Sequence, residues 1–269
     1  NYTYDLSNRK TARNYQINNT FSNYTYDANS RLITIAHNPS NFANFQYGYD
    51  DNDNRLYERK SHRNTSSEQY VYDNNDRLVQ FKQGNLSGGT VNSPTNNIQY
   101  GYDGLGNRTS VNTNGTATAY AANSMNEYTS LTGGMTASFT YDNNGNLTAD
   151  GSYLFNYDYE NRLTSVDNGT TATYIYGPLG RRIQKIVGTD TTHFYYDGIR
   201  VIEERNRFDA TTGTYVYGKN IDEIISMQRS GNDYYYYQNG LGSVTHITNS
   251  VGQIVEQYEY DAYGKVAIY

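Results

Sequence analysis

Four histidines, His37, His62, His193 and His246, are the side chains that could do acid–base or metal chemistry near neutral pH. They lie far apart in the sequence, and no two have the spacing of a metal-ligand pair. The chain has no cysteine, which excludes thiolate metal sites and disulfides. We therefore expect the histidines at surface or strand positions, with no catalytic residue, no metal site and no cofactor.

Three other groups offer chemistry but have simpler interpretations. Residues 50–54 read Asp-Asp-Asn-Asp-Asn, which supplies calcium-binding oxygens but lacks the Gly and distal Glu of a calcium loop, so a hairpin turn explains them. Ser243 does not stand in a Gly-x-Ser-x-Gly motif. The acidic pairs at 203–204 and 222–223 are adjacent, which on a strand places their carboxylates on opposite faces. We expect a protein that is not an enzyme.

Charge and hydropathy exclude two classes of partner. The net charge is −6 and the basic residues are scattered, whereas a nucleic-acid partner requires a basic face. No apolar run approaches the ~20 residues of a membrane span. The chain starts at Asn1 and not at Met, and both ends fall inside the repeat described next. We therefore expect a segment of a longer protein or a processed form.

An aromatic-x-aromatic-Asp phrase returns about every 21 residues along the chain, in about thirteen copies. A degenerate copy at 120–123 fills the longest gap. The second aromatic of each phrase is Tyr4, Tyr26, Tyr49, Tyr72, Tyr102, Tyr141, Tyr157, Tyr176, Tyr196, Tyr217, Tyr236 or Tyr260.

Each phrase predicts a hairpin. Two aromatics two residues apart share one face of a strand, and the following Asp begins an Asx turn. The turn aspartates are Asp5, Asp27, Asp50, Asp73, Asp103, Asp142, Asp158, Asp197 and Asp261. An arginine follows four or five residues later, where we expect the returning strand to set its guanidinium against the tyrosine ring of the same hairpin. These arginines are Arg9, Arg31, Arg55, Arg77, Arg108 and Arg162, with Arg181 following Gly177 in a variant copy.

Repetition and composition together predict an all-β fold. We expect one continuous array over residues 1–269, in which hairpins stack into a spiralling sheet, as a solenoid, open tube or partial barrel. Three prolines and the absence of a sustained 3.6-residue period indicate almost no helix.

The phrase Tyr-x-Tyr-Asp-x-x-Gly/Asn-Arg-Leu resembles the YD repeat of the RHS family, which includes bacterial polymorphic toxins, toxin-complex shell subunits and teneurins. Residues 234–264, with Leu241-Gly242-Ser243 and Tyr258-Glu259-Tyr260-Asp261, are similar to the RHS core segment. The resemblance implies a β-sheet strip that encloses a cargo polypeptide in the toxins. No position here matches the aspartates of the family's autoprotease, so self-cleavage is not expected.

Three functions follow from these observations. The first is a secreted or cell-surface structural protein that forms a shell, tube or filament, with head-to-tail self-association through open strand edges. The second is a glycan-binding adhesin that stacks sugars on its tyrosines. The third is a fragment of a toxin-encapsulating shell, whose partner is a cargo polypeptide.

Overall fold

A computed structural model describes residues 1–15, 18–39 and 42–269. Contacts divide the chain into two compact units. Unit 1 contains residues 1–101, 112–115 and 232–269, and unit 2 contains residues 102–111 and 116–231. The single array expected over residues 1–269 stays a prediction.

Strands make up most of both units. They are β1 (Tyr2–Tyr4), β2 (Lys10–Tyr15), β3 (Thr20–Tyr26), β4 (Leu32–Asn38), β5 (Ala43–Tyr49), β6 (Arg55–Lys60), β7 (Ser67–Tyr72), β8 (Leu78–Ser87), β9 (Thr90–Tyr102), β10 (Arg108–Thr113), β11 (Thr116–Ala122), β12 (Tyr128–Gly133), β13 (Ala137–Ser138), β14 (Thr140–Tyr141), β15 (Leu147–Ala149), β16 (Phe155–Tyr157), β17 (Leu163–Val166), β18 (Ala172–Tyr176), β19 (Arg182–Val187), β20 (Asp190–Asp197), β21 (Arg200–Asn206), β22 (Thr211–Tyr217), β23 (Ile224–Arg229), β24 (Asn232–Gln238), β25 (Val244–Thr248), β26 (Ile254–Tyr260) and β27 (Val266–Ile268). Two short 3₁₀ segments, Ser61–Ser66 and Asp167–Gly169, are the helical elements of the described residues.

Strands pair in the order in which they occur. One sheet runs from β1 to β13, β14 pairs with β15, and a second sheet runs from β16 to β27. The characterised pairs are antiparallel hairpins such as β3 with β4 and β5 with β6. The all-β prediction, with hairpins stacked in sequence order and almost no helix, is confirmed.

One turn geometry recurs at thirteen hairpins of the described chain. The first turn residue donates its N–H to the carbonyl four residues later and accepts an N–H from the residue three later. These first residues are Asp5, Asp27, Asp50, Asp73, Asp103, Asn123, Asp142, Asp158, Gly177, Asn206, Asn239, Asn249 and Asp261. This is the three-residue hairpin loop, in which a type I turn is followed by a left-handed residue.

The fourth turn residue explains the abundance of Asn, Asp and Gly. It has a positive φ at every one of the thirteen turns, for example 60° at Asn8, 56° at Asp76 and 90° at Gly106. Glycine adopts this region without a Cβ clash, and Asn and Asp tolerate it better than other side chains. The turn chemistry therefore sets where each hairpin folds back.

The hydrophobic core lies in unit 1 and is largely aromatic. Tyr24, Ile35, Ala43, Phe45 and Tyr47 form its buried cluster on β3 to β5. The described residues include no helix that is long and apolar enough to cross a bilayer.

Candidate functional site

The repeat unit is best seen at Asp27, Arg31 and Tyr49. Arg31 donates from Nε to Asp27 Oδ2 at 2.7 Å, and its backbone N–H donates to Asp27 Oδ1 at 2.8 Å. Its guanidinium carbon lies 5.1 Å from the ring centroid of Tyr49. The hydrogen bond from the Arg31 side chain is the main cause that lowers the pKa of Asp27. The carboxylate thus fixes both the turn and the arginine.

The arginine contacts a different ring from the one expected. Arg9 follows the turn at Asp5, but it lies 5.0 Å from the ring of Tyr26 in the next repeat. Arg162 likewise lies over Tyr176 at 5.0 Å. The prediction that each arginine covers the ring of its own hairpin is therefore wrong at these positions. The ion pair with the turn Asp directs the side chain across the strand toward the following hairpin.

Tyrosine hydroxyls connect each repeat to the one before it. Tyr49 Oη donates to the Leu32 carbonyl at 2.7 Å, and Tyr72 Oη donates to the Arg55 carbonyl at 3.0 Å. The same bond to a preceding carbonyl is made by Tyr26, Tyr141, Tyr157, Tyr176, Tyr196, Tyr217 and Tyr260. A buried hydroxyl without a partner would cost about 1–3 kcal/mol, and these bonds avoid that cost.

Some predicted residues occupy other positions of the repeat. In the hairpin of β24 and β25, the pairing register shifts between Tyr237 and Gln238. Gln238 occupies the position just after the shift, where other hairpins have the second tyrosine of the phrase, and Tyr236 lies two residues before it. Asp197 pairs directly with Arg200, so it closes a shorter turn than the other aspartates. Tyr4 is 39% exposed on the short strand β1, and Tyr102 ends β9.

Arg55 and Arg108 stand one residue later than the other arginines. Asn54 and Asn107 occupy the position of the paired arginine and donate from Nδ2 to Asp50 and Asp103. Arg55 instead donates to Glu58 at 3.0 Å. Arg77 pairs with Asp73 at 2.8 Å, as Arg31 does with Asp27, and Arg181 lies 5.6 Å from the ring of Tyr196.

Sequence reasoning missed turns that begin with Asn. Asn206, Asn239 and Asn249 each accept two backbone N–H groups on Oδ1, as the turn aspartates do. The signal was present, because each is followed three residues later by Asp209, Gly242 or Gly252 at positive φ. Searching for Asn or Asp with Gly, Asn or Asp three residues later would have found them.

Within unit 1, the C-terminal hairpins β24 to β26 pack on the N-terminal strands β2 to β6, and we call this contact the seam. Arg13 is 2% exposed and donates to Gln238 Oε1 at 2.9 Å and to the Tyr236 carbonyl at 3.0 Å. Tyr47 Oη accepts the Gly240 N–H at 2.7 Å. Buried hydrogen bonds therefore join parts of the chain that are nearly the whole sequence apart.

Tyr237 is the central side chain of the seam. It is fully buried, and its hydroxyl hydrogen-bonds Thr20 and receives bonds from Asn18 and Thr248. Its ring lies 5.1 Å from the ring of Tyr15. Nothing in the repeat pattern marks this residue, because the run of four tyrosines at 234–237 hides which ring faces inward.

Three of the four histidines meet at the seam. His37 stacks on Phe42 with ring centroids 5.9 Å apart, Phe42 lies 5.8 Å from His246, and His246 lies 5.3 Å from His62. Burial lowers the pKa of His62 to about 4 and that of His246 to about 3. Sequence spacing could not predict the cluster, because His246 arrives from the far end of the chain.

A buried charge network lies beside these rings. Lys60 Nζ donates to Glu68 Oε1 and lies 3.9 Å from Glu58 Oε1. Tyr70 Oη hydrogen-bonds the other oxygen of Glu68. Burial, together with the charge of Glu68, raises the pKa of Glu58 to about 7. The network borders a cavity of about 110 Å³, whose C-terminal wall includes Glu259 and Asp261.

This geometry offers no metal centre among residues 1–15, 18–39 and 42–269, which contain no suitably placed group of three His, Cys, Asp or Glu. At the candidate calcium segment, the Asp50 carboxylate accepts N–H groups from Asn52 and Asn54. Asn54 Nδ2 also donates to Asp76 Oδ1 in the next turn at 2.7 Å. The oxygens of Asp50 thus hold a turn together.

The sequence is similar to parts of bacterial toxins and of teneurins. Over 174 residues, 62% of this chain, the sequence is 37% identical to the tRNA3(Ser)-specific nuclease WapA of Bacillus spizizenii, and the match covers 7% of that protein. Teneurin-1 of Mus musculus is 27% identical over 136 residues, which are 48% of this chain and 5% of that protein. The chain therefore spans a small part of the relatives that it matches.

The chain also matches a solved structure and a family model. A crystal structure of TcdB2-TccC3-Cdc42 matches with a TM-score of 0.48 at 18% identity, covering 99% of this chain and 18% of that chain. The teneurin YD-shell family model matches residues 1–88 and 88–268. With the repeated turns, the tyrosine bonds and this match over nearly its whole length, the chain belongs to the teneurin YD-shell family.

Proposed function

We propose that this chain is a non-enzymatic wall segment of a YD-repeat shell on a secreted or cell-surface protein. The observation that carries the proposal is the seam. Repeats joined only to their neighbours form an open strip, whereas buried bonds between β2 to β6 and β24 to β26 make unit 1 a self-supporting body. The repeats would act as one array over residues 1–269, including the core-like segment 234–264.

The repeat residues support a structural role over a sugar-binding one. Repeat tyrosines such as Tyr26, Tyr49 and Tyr176 use their hydroxyl on a backbone carbonyl and have a guanidinium over the ring. A ring that is held at its tip and covered on a face offers little surface on which a sugar could stack. A glycan array screened with the purified chain would favour the adhesin if it gave specific binding.

Light scattering tests how the segment assembles. The strands that end the two long sheets, β1, β13, β16 and β27, have two or three residues each, and short edge strands offer few groups for pairing with another chain. We expect a discrete 30.6 kDa species at rising concentration. Growth of the particle with concentration, with filaments in electron micrographs, would instead favour head-to-tail self-association.

A toxin-shell fragment is the candidate that the relatives favour, and a cargo polypeptide would be its partner. The similarity to the WapA nuclease covers more than half of this chain but a small part of that protein. If this segment forms part of a shell wall, then the nuclease activity of proteins such as WapA belongs to a part of them that this chain does not match. Purified chain incubated with total tRNA should leave it intact, and specific cleavage would contradict the non-enzymatic proposal.

A further inference from the structure

The histidine cluster of the seam serves no purpose in the repeat architecture. His37, His62 and His246 come from β4, the 3₁₀ segment and β25, and their rings form a chain with Phe42 and Phe45. The fourth histidine, His193, lies in unit 2 on β20. The arrangement therefore concentrates side chains whose ordinary pKa is near 6.5 at the contact between the two ends of unit 1.

We propose that His37, His62 and His246 form an acid-sensitive latch, which holds the C-terminal hairpins on the N-terminal strands and loosens when the imidazoles gain protons. This inference does not depend on the proposed function, because it concerns the contact within unit 1 alone.

The hydrogen bonds of the cluster indicate a neutral His246 ring when the latch is closed. His62 Nδ1 lies 2.9 Å from the Asn44 amide nitrogen and 3.2 Å from the Asn44 carbonyl oxygen, so it can accept from the first or donate to the second. Gln257 Nε2 donates to His246 Nε2 at 2.8 Å. His37 is fully buried between Ser22 Oγ and the Gln238 carbonyl. A proton on His246 Nε2 would face the N–H donor of Gln257.

Cations on several elements face the cluster and oppose protonation of its histidines. The cations that face it are Arg13 on β2, Lys60 on β6 and Arg63 in the 3₁₀ segment. The other ionisable groups of the adjoining cavity are Arg55, Glu58, Glu68, Tyr70, Tyr258, Glu259, Tyr260 and Asp261, and Tyr237 adjoins His37. Glu58, Glu68 and Glu259 are already paired with Arg55, Lys60 and Arg63. Two charged rings 5.3 Å apart would also repel each other.

The linkage between proton binding and opening of the seam determines how its stability changes with pH. Burial holds the pKa values of all three histidines below 6.5, so an opened seam binds more protons and stability falls as pH drops below 6.5. Glu58 acts in the opposite direction, because its pKa is raised and the closed form takes up its proton first. Because the effect of three histidines exceeds that of one carboxyl group, the seam should open more readily at low pH. The equilibrium constant for opening should rise by about tenfold or more between pH 7 and pH 5.

Hydrogen–deuterium exchange of the intact chain tests the latch. After correction for intrinsic exchange, amides of β24 to β26 should lose protection between pH 7 and pH 5 by about tenfold or more. Amides of β20 to β22 in unit 2 serve as the internal reference. The double variant His62→Gln, His246→Gln should lose most of this response, whereas Glu58→Gln should enlarge it.

His193→Gln is the matched control, and its acid response should equal that of the wild type. If the double variant fails to fold at pH 7, His62→Gln alone should still reduce the response. Equal loss of protection in the wild type and the histidine variants, or unchanged protection down to pH 5 in the wild type, would overturn the proposal.

Discussion

The Tyr49 hydroxyl donates a 2.7 Å hydrogen bond to the carbonyl of Leu32, seventeen residues earlier in the chain. The bond crosses from one repeat to the one before it, and Arg31 lies over the same ring. Tyr49 therefore acts at both ends, since its ring packs and its hydroxyl satisfies a backbone acceptor.

Removal of the Tyr49 hydroxyl separates these two roles. Tyr49→Phe should lower the free energy of unfolding by about 1 kcal/mol, because the Leu32 carbonyl loses its partner. Tyr49→Ala should cost ~3 kcal/mol, because the ring contacts are lost as well. Urea denaturation of the two variants measures both effects. Equal costs for Phe and Ala would show that the ring contributes nothing.

Gly48 is expected to be intolerant of a side chain. It lies opposite Tyr57 across β5 and β6, and a Cβ at Gly48 would come within 2.1 Å of Tyr57 Cε1. Gly48→Ala must displace the ring and should cost roughly 1–3 kcal/mol. Gly104→Ala is the control, since a Cβ there meets no atom within 4 Å. Thermal unfolding that shows equal effects would contradict the predicted clash.

The turn aspartates should make stability fall in strong acid. Asp27, Asp103 and Asp142 have pKa values lowered mainly by side-chain hydrogen bonds from Arg31, Asn107 and Asn146. A lowered pKa means that the carboxylate stabilises the fold above pH ~4, and that this stability is lost as pH falls through the folded value.

Substitution of one aspartate isolates its share of this acid response. Asp27→Asn keeps an acceptor for the turn amides but removes the titration, so its stability should depend less on pH between 4 and 2. Denaturation followed at several pH values would reveal the change in slope. A slope identical to that of the wild type would mean that the Arg31 pair contributes nothing measurable.

Glu58 should produce the reverse dependence near neutral pH. Its pKa is raised to about 7 by burial first and by the charge of Glu68 second. A raised carboxyl pKa favours the folded state below that value, so stability should fall as pH rises from 6 to 8.5. In Glu58→Gln this fall should disappear. Chemical denaturation across that range is the measurement, and a persistent fall in the variant would assign it to another group.

Local features of this fold were predictable from the sequence, and distant contacts were not. The turn at Asp73 follows from an Asx side chain and from Asp76, a residue type that tolerates its positive φ of 56°. The tyrosine ring next to Arg31 was predicted to belong to its own hairpin, but it is Tyr49 of the next hairpin. The ion pair with Asp27 directs the Arg31 side chain across the strand toward that ring. Local spacing fixes which residues neighbour each other on a strand, but it does not select the ring that a long side chain reaches.

The seam could not be predicted for a related reason. Arg13 and Gln238 are 225 residues apart in the sequence, and neither residue belongs to the repeat phrase. Likewise, His37 and His246 carry no spacing signal, although Phe42 brings their rings together. A periodic sequence predicts the contacts of each repeat with its neighbours. Contacts between the first and last repeats depend on the twist and bend of every repeat between them, which the sequence period does not specify.

The acceptors of the tyrosine bonds belong to Lys10, Leu32, Arg55, Tyr128, Leu147, Leu163, Arg182, Val201 and Val244. Each contributes only its main-chain oxygen, which all amino acids possess. The hydrogen bond at this joint therefore requires no particular side chain at the acceptor position of the preceding repeat. Duplication, loss or exchange of single hairpins by recombination would preserve the joint, which gives such genes an unusually permissive route to new lengths.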